Sequence, residues 1–260
     1  MFQIERLNAI EDYVNQRGRA DIGELSEVFG VSKVTIRRDI DALENEKRII
    51  KTYGGVISLK AKRSADIPQS QRMLENVDAK QKIGALAASL IEDNDTIVID
   101  TGTTTLAMIK NITAKNVTVI THDLLIAMEV IKYRCAELIV VGGAWESSGY
   151  ALIGCQTLDA YKKMHVDKVY IGCDAVDRDF GVSGRMLSTV DLKKTFLELS
   201  DRAILLADQS KFGKRAFYSL YPVKCVDTII TDGLSEEYRE FCKDNAISVL
   251  VAEESPSRKG

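Results

Sequence analysis

The sequence predicts a mixed α/β protein in which a small N-terminal winged helix-turn-helix precedes a larger, mostly parallel α/β domain of the Rossmann type. Three observations support this prediction. Apolar residues near the N-terminus recur at helical spacing around a tight turn, a short β-prone segment follows them, and beyond residue 76 apolar strands alternate with helical stretches. With 260 residues, of which 45% are hydrophobic and 28% charged, the chain can form one large and one small globular domain.

The first 45 residues predict three helices. Apolar residues recur at three- and four-residue steps over 3–17, over 22–29 and from Ser32 to about Asn45. Gly30 can adopt the left-handed conformation that ends a helix, and Ser32 is a good N-cap for the helix that follows. A helix, a tight turn and a capped helix together form a helix-turn-helix.

A small β wing and a linker follow these helices. The segment from Arg48 to Ile57 contains two short β-prone runs around a glycine hinge. The stretch after it is polar and basic and contains Pro68, which indicates a linker. The predicted organisation is a winged helix-turn-helix over 1–57, a linker over 58–75, an α/β domain over 76–252 and a tail over 253–260.

Six apolar, β-prone runs follow the linker and are separated by helical stretches. They lie at 96–100, 117–120, 138–141, 168–172, 203–206 and 228–231. Continuous Val, Ile and Leu in strands that alternate with helices indicates a mostly parallel sheet covered on both faces.

Charge is distributed unevenly along the chain. The formal net charge is −3, but residues 31–63 contain nine Lys and Arg against four Asp and Glu, a local charge of +5, which leaves −8 for the rest. A basic region on an otherwise acidic protein indicates one surface dedicated to an anionic partner.

The third predicted helix has the pattern of a DNA-recognition helix. Ile36, Ile40 and Leu43 should face the core, which leaves polar and cationic side chains on the opposite face. In a helix-turn-helix such side chains reach base edges in the major groove and bind phosphates. The alternative is an ordinary solvated helix surface with charge pairs four residues apart. We predict that double-stranded DNA is contacted by Ser32, Lys33, Thr35, Arg37 and Arg38, and in the wing by Lys51 and Tyr53.

A second polar cluster follows the first strand of the predicted parallel sheet. Asp100-Thr101-Gly102-Thr103-Thr104-Thr105 stands where that strand should end and a helix begin. Backbone N–H groups at such a point, with threonine hydroxyls and a close-approach glycine, form a phosphate site. The segment matches neither the P-loop nor the dinucleotide-binding motif. A threonine-capped helix without a ligand is the alternative interpretation.

Other polar residues follow neighbouring strands, and ligands of open α/β sheets lie beyond the carboxyl ends of strands. Asp100 and Asp174 could bind sugar hydroxyls, and Lys211 could neutralise a phosphate. Taken singly, each residue is more often a turn or a cap than a ligand. The predicted ligand site comprises Asp100, Gly102, Thr103, Thr104, Thr105, His122, Gly142, Gly143, Asp174 and Lys211.

Two groups of motifs resemble one protein family. The first is Val31-Ser32-Lys33-Val34-Thr35-Ile36-Arg37-Arg38-Asp39-Ile40, followed by Gly54-Gly55-Val56. The second is the 99–105 segment, Gly142-Gly143, the 170–174 segment and the 206–213 segment. The first group is similar to the signature of the DeoR family of winged-helix repressors, and the second to that family's sensor domain, whose fold is similar to ribose-5-phosphate isomerase.

The resemblance implies a repressor of sugar or nucleoside catabolism genes that releases its operator DNA when a phosphorylated sugar binds. It also implies a homo-oligomer, either a dimer or a tetramer, and no cofactor besides the effector. Lys47 stands where the family usually has glycine before the wing, and Tyr53 stands where it usually has histidine. Both departures fall in the predicted wing.

Two other functions remain as alternatives. An aldose–ketose isomerase needs a carboxylate base beside an open-chain sugar, and Asp174 or Asp177 could supply it. The glycine-rich, lysine-bearing segment of the isomerases is not evident after Asp177, and no catalytic residue is predicted. A scaffold that used its helix-turn-helix for protein contacts would show no salt-dependent affinity for DNA.

Composition argues against metal binding and membrane insertion. The five cysteines are odd in number, widely spaced and never in C-x-x-C, and only His122 and His165 could join them, so no metal site is expected. No apolar run approaches the roughly 20 residues needed to span a bilayer. Residues 1–6 lack the layout of a secretory signal, so a cytoplasmic location is expected.

Overall fold

The structure is a computed structural model that describes residues 3–46, 48–52, 54–58, 69–147 and 149–252. Lys47, Tyr53, most of the predicted linker and the predicted tail 253–260 lie outside these described residues. Within the described ranges the predicted fold class is confirmed, because a helical N-terminal body with a small wing precedes a parallel α/β body.

The N-terminal body contains the helices and wing strands that the sequence predicts. Its elements are α1 Gln3–Arg17, β1 Arg19–Asp21, α2 Ile22–Phe29, α3 Lys33–Asn45, β2 Ile49–Thr52 and β3 Gly55–Ser58. The short strand β1 was not predicted, since three residues are too few to show an alternating pattern. It pairs antiparallel with β3, so the wing is a three-stranded sheet in the order β1-β3-β2.

Capping residues define the helix-turn-helix. Asp21 accepts a hydrogen bond from the Glu24 N–H, and the Glu24 carboxylate accepts one from the Asp21 N–H, so a capping box begins α2. Gly30, with φ 62°, ends α2 in the left-handed conformation. Ser32 Oγ accepts a hydrogen bond from the Thr35 N–H at 3.2 Å and begins α3. The helices bury one apolar core, whose fully buried members include Ile10, Leu25, Ile36, Ile40 and Leu43.

The second body is built on a parallel sheet with helices on both faces. Its elements are α4 Gln69–Arg72, α5 Val77–Ala88, β4 Thr96–Ile99, α6 Thr103–Leu106, β5 Thr118–Thr121, α7 Leu124–Tyr133, β6 Glu137–Val140, β7 Ala144–Trp145, β8 Leu152–Ile153, α8 Cys155–Tyr161, β9 Val166–Gly172, β10 Ala175–Asp177, β11 Gly181–Gly184, α9 Val190–Glu198, β12 Ser200–Leu206, β13 Tyr218–Tyr221, β14 Thr228–Thr231, α10 Glu236–Asp244 and β15 Ser248–Val251. Single 3-10 turns lie at Ile109–Asn111, Leu187–Thr189, Gln209–Lys211 and Val223–Cys225.

The main sheet has seven strands in the order β15-β14-β12-β9-β4-β5-β6, and every neighbouring pair is parallel. One apolar cluster, which includes Val169 and Phe196, covers one face, and a second, which includes Ile83 and Ile97, covers the other. Burial on both faces explains why the predicted strands are continuous Val, Ile and Leu runs. The edge strand β15 was not predicted.

A small antiparallel sheet stands beside the carboxyl end of β9. Its order is β10-β11-β13, and its hairpin β10–β11 begins three residues after β9 ends. The sequence did not predict this sheet, because its strands are only three or four residues long. The hairpin positions residues of the candidate ligand site.

Among the described residues, no helix is both long enough and apolar enough to cross a bilayer. In the same ranges, no group of three or more His, Cys, Asp and Glu side chains is arranged to hold a metal ion.

Candidate functional site

The outward face of α3 presents cationic side chains to solvent. Ile36, Ile40 and Leu43 are buried in the core, as expected from their spacing. The side chains of Lys33, Arg37 and Arg38 are exposed, Ser32 is exposed as the N-cap, and Thr35 is half-buried. These five predicted DNA contacts therefore lie on or beside one accessible surface.

Val34 occupies this face although it is apolar. It lies three and four residues before Arg37 and Arg38, so the three share one side of the helix. The side chain of Val34 is 57% exposed, and it is absent from the core of the N-terminal body. A methyl-bearing side chain in this position can contact a thymine methyl group in the major groove.

A buried ion pair holds α3 against α1. Asp39 is almost fully buried, and its carboxylate accepts hydrogen bonds from Arg6 at 2.6 and 3.2 Å. The bond to Asp39 raises the pKa of Arg6. Asp39 therefore orients the helix from its inner side, while the neighbouring Arg37 and Arg38 remain on its outer side.

The structure describes one of the two predicted DNA contacts of the wing. Lys51 is exposed on β2 and forms an ion pair with Asp41 of α3, which raises the pKa of the lysine. The wing is thereby tied to the helix that carries Arg37 and Arg38. Tyr53 lies outside the described residues.

A cleft opens at the carboxyl ends of β4 and β9, where the predicted phosphate segment lies. Helix α6 has only four residues, so its dipole supplies little charge to this cleft. Most of the positive charge comes instead from side chains that arrive on other elements. The cationic lining consists of Arg72, Lys80, Arg185, Lys193 and Lys211.

Lys80 and Lys211 are the cations of the cleft that have no carboxylate partner within ion-pair distance among the described residues. The ammonium of Lys80 donates hydrogen bonds to the backbone carbonyls of Arg72 and Glu75. Burial lowers the pKa of Lys80, and the nearby charge of Lys211 lowers it further. The two ammonium groups therefore repel each other, and an anion bound in the cleft would offset this repulsion.

Asp174 is one of three acidic residues in the cleft lining, together with Glu75 and Glu146, and it contacts two of the cations. Its carboxylate accepts a charged hydrogen bond from Arg185 at 2.6 Å, and a guanidinium nitrogen of Arg72 lies 3.8 Å away. Burial by itself would raise the pKa of Asp174, but Arg185 and Arg72 outweigh burial, and the net pKa is lowered. Asp174 is therefore a weak proton acceptor that can still receive hydrogen bonds.

A buried ion pair forms the floor of the cleft. Asp100 Oδ2 accepts hydrogen bonds from Lys193 Nζ at 2.5 Å and from the Gly172 N–H at 3.0 Å. Lys193 also donates to the Gly172 carbonyl at 2.7 Å. His122 Nε2 lies 4.0 Å from the other oxygen of Asp100, and burial lowers the pKa of this histidine despite the opposing charge of Asp100.

The structure brings half of the predicted ligand residues to the cleft surface. Gly102, Thr103, Thr104, Asp174 and Lys211 line the cleft. The other five predicted residues, Asp100, Thr105, His122, Gly142 and Gly143, are not among its lining residues.

The residues behind the lining have evident structural contacts. Asp100 touches the lining through Lys193, and Thr105 donates a hydrogen bond to the Gly102 carbonyl. At Gly143, a Cβ atom would lie 2.2 Å from Thr157 Oγ1, so close packing against α8 requires glycine there.

Nine lining residues with polar or charged side chains are missing from the predicted ligand site: Gln69, Arg72, Glu75, Lys80, Thr101, Glu146, Arg185, Thr189 and Lys193. Gln69 and Arg72 belong to α4, in the stretch interpreted as a linker, and their polarity was typical of a linker. Arg185 follows the unpredicted strand β11, and Lys193 lies on α9, among helix residues with ordinary spacing. Thr101 belongs to the predicted phosphate segment although the predicted site omits it, and the basic character of Arg72, Lys80 and Arg185 was the other available signal.

The exposed cationic face of α3 in a helix-turn-helix, together with the cation-lined cleft of an α/β body, is typical of a transcription regulator with a DNA-binding domain and a ligand-sensing domain. A family model described as the DeoR-like helix-turn-helix domain matches residues 6–62, and one described as the DeoR C terminal sensor domain matches residues 75–233. The chain belongs to the DeoR family of helix-turn-helix transcriptional regulators.

Full-length relatives support this membership. The chain is 31% identical over 252 residues to the HTH-type transcriptional regulator IolR of Bacillus subtilis, covering 96% of this chain and 100% of the relative. It is 32% identical to the HTH-type transcriptional repressor GlcR of Bacillus subtilis, covering 99% and 100%. It is 30% identical to the glycerol-3-phosphate regulon repressor of Escherichia coli, covering 89% and 92%.

Solved structures overlap with the chain only in part. Ribose 5 phosphate isomerase A from Neisseria gonorrhoeae aligns with a TM-score of 0.38 and 15% identity, over 51% of this chain and 52% of the isomerase. The structure of eIF2B beta from Chaetomium thermophilum aligns with a TM-score of 0.41 and 17% identity, over 80% of this chain and 58% of eIF2B beta. Overlaps of this extent assign no activity.

Proposed function

We propose that this regulator is a repressor whose winged helix-turn-helix, over about 1–57, binds operator DNA and whose α/β body releases that DNA when a phosphorylated sugar enters the cleft. The observation that supports the effector best is the pair Lys80 and Lys211. Neither lysine has a carboxylate partner among the described residues, and Arg72 lies across the same cleft. A phosphate dianion would neutralise such a cluster with charge-assisted hydrogen bonds.

The remaining lining suits the rest of a sugar. Asp174, held ionised by Arg185, and the hydroxyls of Thr103 and Thr104 can bind sugar hydroxyls. The glycine at position 102 lets the backbone approach the ligand closely. One of the relatives is named for a regulon of glycerol-3-phosphate, which is a small phosphorylated compound.

The DNA interface is assigned to the outward face of α3. Lys33, Arg37 and Arg38 would bind phosphates and base edges, and Val34 would contact thymine methyl groups. Helix-turn-helix proteins place two recognition helices on half-sites about one helical turn apart. A homo-oligomer, either a dimer or a tetramer, is therefore part of the proposal.

We propose no catalytic activity for the cleft. An isomerase would need Asp174 as a base, but the guanidinium groups of Arg185 and Arg72 lie beside its Oδ1 and lower its pKa, and its Oδ2 accepts a hydrogen bond from the Arg185 N–H. General bases work best when their pKa lies near the operating pH. This geometry suits binding rather than proton transfer.

One titration tests the proposal. The protein is added to a labelled duplex from upstream of its own gene while anisotropy is followed, and a panel of phosphosugars is then added. We expect salt-sensitive binding to the duplex that one phosphosugar reverses. Absence of specific binding, together with consumption of a phosphosugar in the same tubes, would replace this proposal with the isomerase alternative.

A further inference from the structure

One arginine joins the DNA-binding body to the sensor body. Arg215 lies in the loop before β13, and one of its guanidinium nitrogens donates to Glu24 of α2 at 2.9 Å. Its other terminal nitrogen lies 3.0 Å from Asp177 at the end of β10. The side chains of Arg215, Asp177 and Glu24 are 9%, 9% and 15% exposed, so the contact is largely shielded from solvent. We call these three residues the interdomain latch.

Neighbouring contacts reinforce the latch. The Arg215 N–H donates to the Arg17 carbonyl at 2.7 Å. In the other direction, the Arg19 guanidinium donates to the Phe217 carbonyl at 2.8 Å and stacks over the ring of Phe180, 4.3 Å from its centroid. Two segments of the sensor body therefore contact the end of α1 and the start of the wing, as well as α2.

On the DNA-binding side, the latch reaches the helix-turn-helix at its first helix. Glu24 belongs to the capping box that begins α2, and its second oxygen accepts hydrogen bonds from Tyr13 at 2.9 Å and Arg17 at 3.1 Å. Helix α2 packs on the recognition helix through the common core. A shift of Glu24 would therefore move α2 and α3 together.

On the sensor side, the latch and the ligand cleft share the β10–β11 hairpin. Asp174 precedes β10 and Arg185 follows β11, and both line the cleft. At the opposite end of the same hairpin, Asp177 binds Arg215. The three residues from Asp174 to Asp177 span about 10 Å of extended chain. Lys211 of the cleft also precedes Arg215 by four residues in one loop.

The latched arrangement leaves the recognition helix accessible, because Lys33, Arg37 and Arg38 remain exposed. We propose that Arg215 is a positioning residue that fixes the recognition helix relative to the sensor body, and that phosphate binding in the cleft weakens this latch. The inference rests on the proposed function for its effector. Interfaces between domains of one chain are polar and allow relative motion, so a contact of ion pairs suits two alternative arrangements.

Thermodynamic linkage predicts the direction in which ligand affinity changes when the latch is weakened. If the ligand prefers the unlatched arrangement, part of its binding free energy is spent on breaking the latch. A variant with a weaker latch must therefore bind the ligand more tightly. A residue that merely stabilised the fold would not produce tighter binding. The affinity of the cleft for inorganic phosphate therefore separates a coupling role from a structural one.

Glu24→Gln is the primary variant, since glutamine also serves in a capping box and Asp177 keeps its cation. Arg215→Lys is the second, because one ammonium cannot span two carboxylates as the guanidinium fork does. Glu27→Gln is the matched control. It removes the same charge from an exposed position of α2 that has no ion pair among the described residues.

Two measurements test the latch on the full chain. Hydrogen exchange without ligand should be faster for the amides of α2 in both latch variants, by roughly tenfold or more as expected for losing a charged hydrogen bond, and unchanged in Glu27→Gln. Calorimetry should show that both latch variants bind inorganic phosphate about fivefold or more tightly than wild type, within the usual range of allosteric coupling.

The outcomes are distinguishable. Unchanged exchange in α2 would overturn the latch itself, and unchanged or weaker phosphate affinity in both latch variants would overturn its coupling to the cleft. If wild-type protein bound no phosphate, the proposed effector would fail. The exchange measurement would then still decide whether Arg215 holds α2.

Discussion

Lys193 Nζ lies 2.5 Å from Asp100 Oδ2 in the floor of the ligand cleft, and both side chains are buried. Each charge compensates the other in a buried position that water does not solvate. Lys193 also donates a hydrogen bond to the Gly172 carbonyl. Removing either partner would leave a buried charge without compensation. The pair therefore joins the ends of β4 and β9 to α9 beneath the cleft, and its contribution can be measured as a change in stability.

Lys193→Met should destabilise the protein by about 3–5 kcal/mol, the usual cost of removing one partner of a buried ion pair. Urea denaturation followed by circular dichroism measures this change. Lys194→Met is the matched control, because Lys194 is the adjacent residue of α9 but is exposed. Equal stability of the two variants would show that the Asp100 pair contributes little.

Lys80→Ala and Lys211→Ala should each weaken phosphosugar binding roughly 10- to 100-fold, since a hydrogen bond to a charged group contributes about 1.5–3 kcal/mol. Calorimetry with the effector found in the anisotropy titration measures the loss. Lys214→Ala removes the same charge from an exposed position of the Lys211 loop and should bind as wild type does. Wild-type affinity in both cleft variants would contradict the proposed site.

Arg37→Ala and Arg38→Ala should weaken operator binding while leaving phosphosugar affinity unchanged. Loss of a base contact should cost about 1–3 kcal/mol, and loss of a phosphate contact should reduce the slope of log affinity against log salt by about one. Anisotropy at several salt concentrations distinguishes the two roles. Lys163→Ala, an exposed cation of the sensor body, is the control. If both arginine variants bound the operator normally, α3 would not be the recognition helix.

The helix-turn-helix could be predicted from sequence because its information is local. Ser32 and Gly30 mark helix ends, and the spacing of Ile36 and Ile40 defines the buried face. The strands of the parallel sheet were evident for a similar reason, since strands covered on both faces are uniformly apolar.

The cleft was harder to predict because its cations come from distant segments. Arg72 precedes Asp174 by about a hundred positions, and nothing in its local sequence distinguishes it from a linker arginine. Arg185 follows a strand too short to show a pattern. Conversely, Gly142 and Gly143 resemble ligand-binding glycines, but close packing against Thr157 already accounts for Gly143. Only the tertiary fold separates these cases.

His122 should make stability depend on pH below neutrality. Burial lowers its folded-state pKa below the value of about 6.5 for an unfolded histidine, so the unfolded chain binds the proton more readily. The contribution of a neutral His122 is therefore complete above about pH 6.5 and is lost as the pH falls below it.

Urea denaturation between pH 7.5 and pH 5.5 measures this dependence. His122→Gln should flatten the decline by up to about 1.4 kcal/mol per pH unit, the limit for one proton. His165→Gln is the control, because His165 is exposed and its side chain is 70% accessible. If the decline persisted in His122→Gln but disappeared in His165→Gln, the exposed His165 and not the buried His122 would cause the pH dependence. If the dependence of stability on pH were unchanged in both variants, carboxylates and not histidines would cause the loss of stability at low pH.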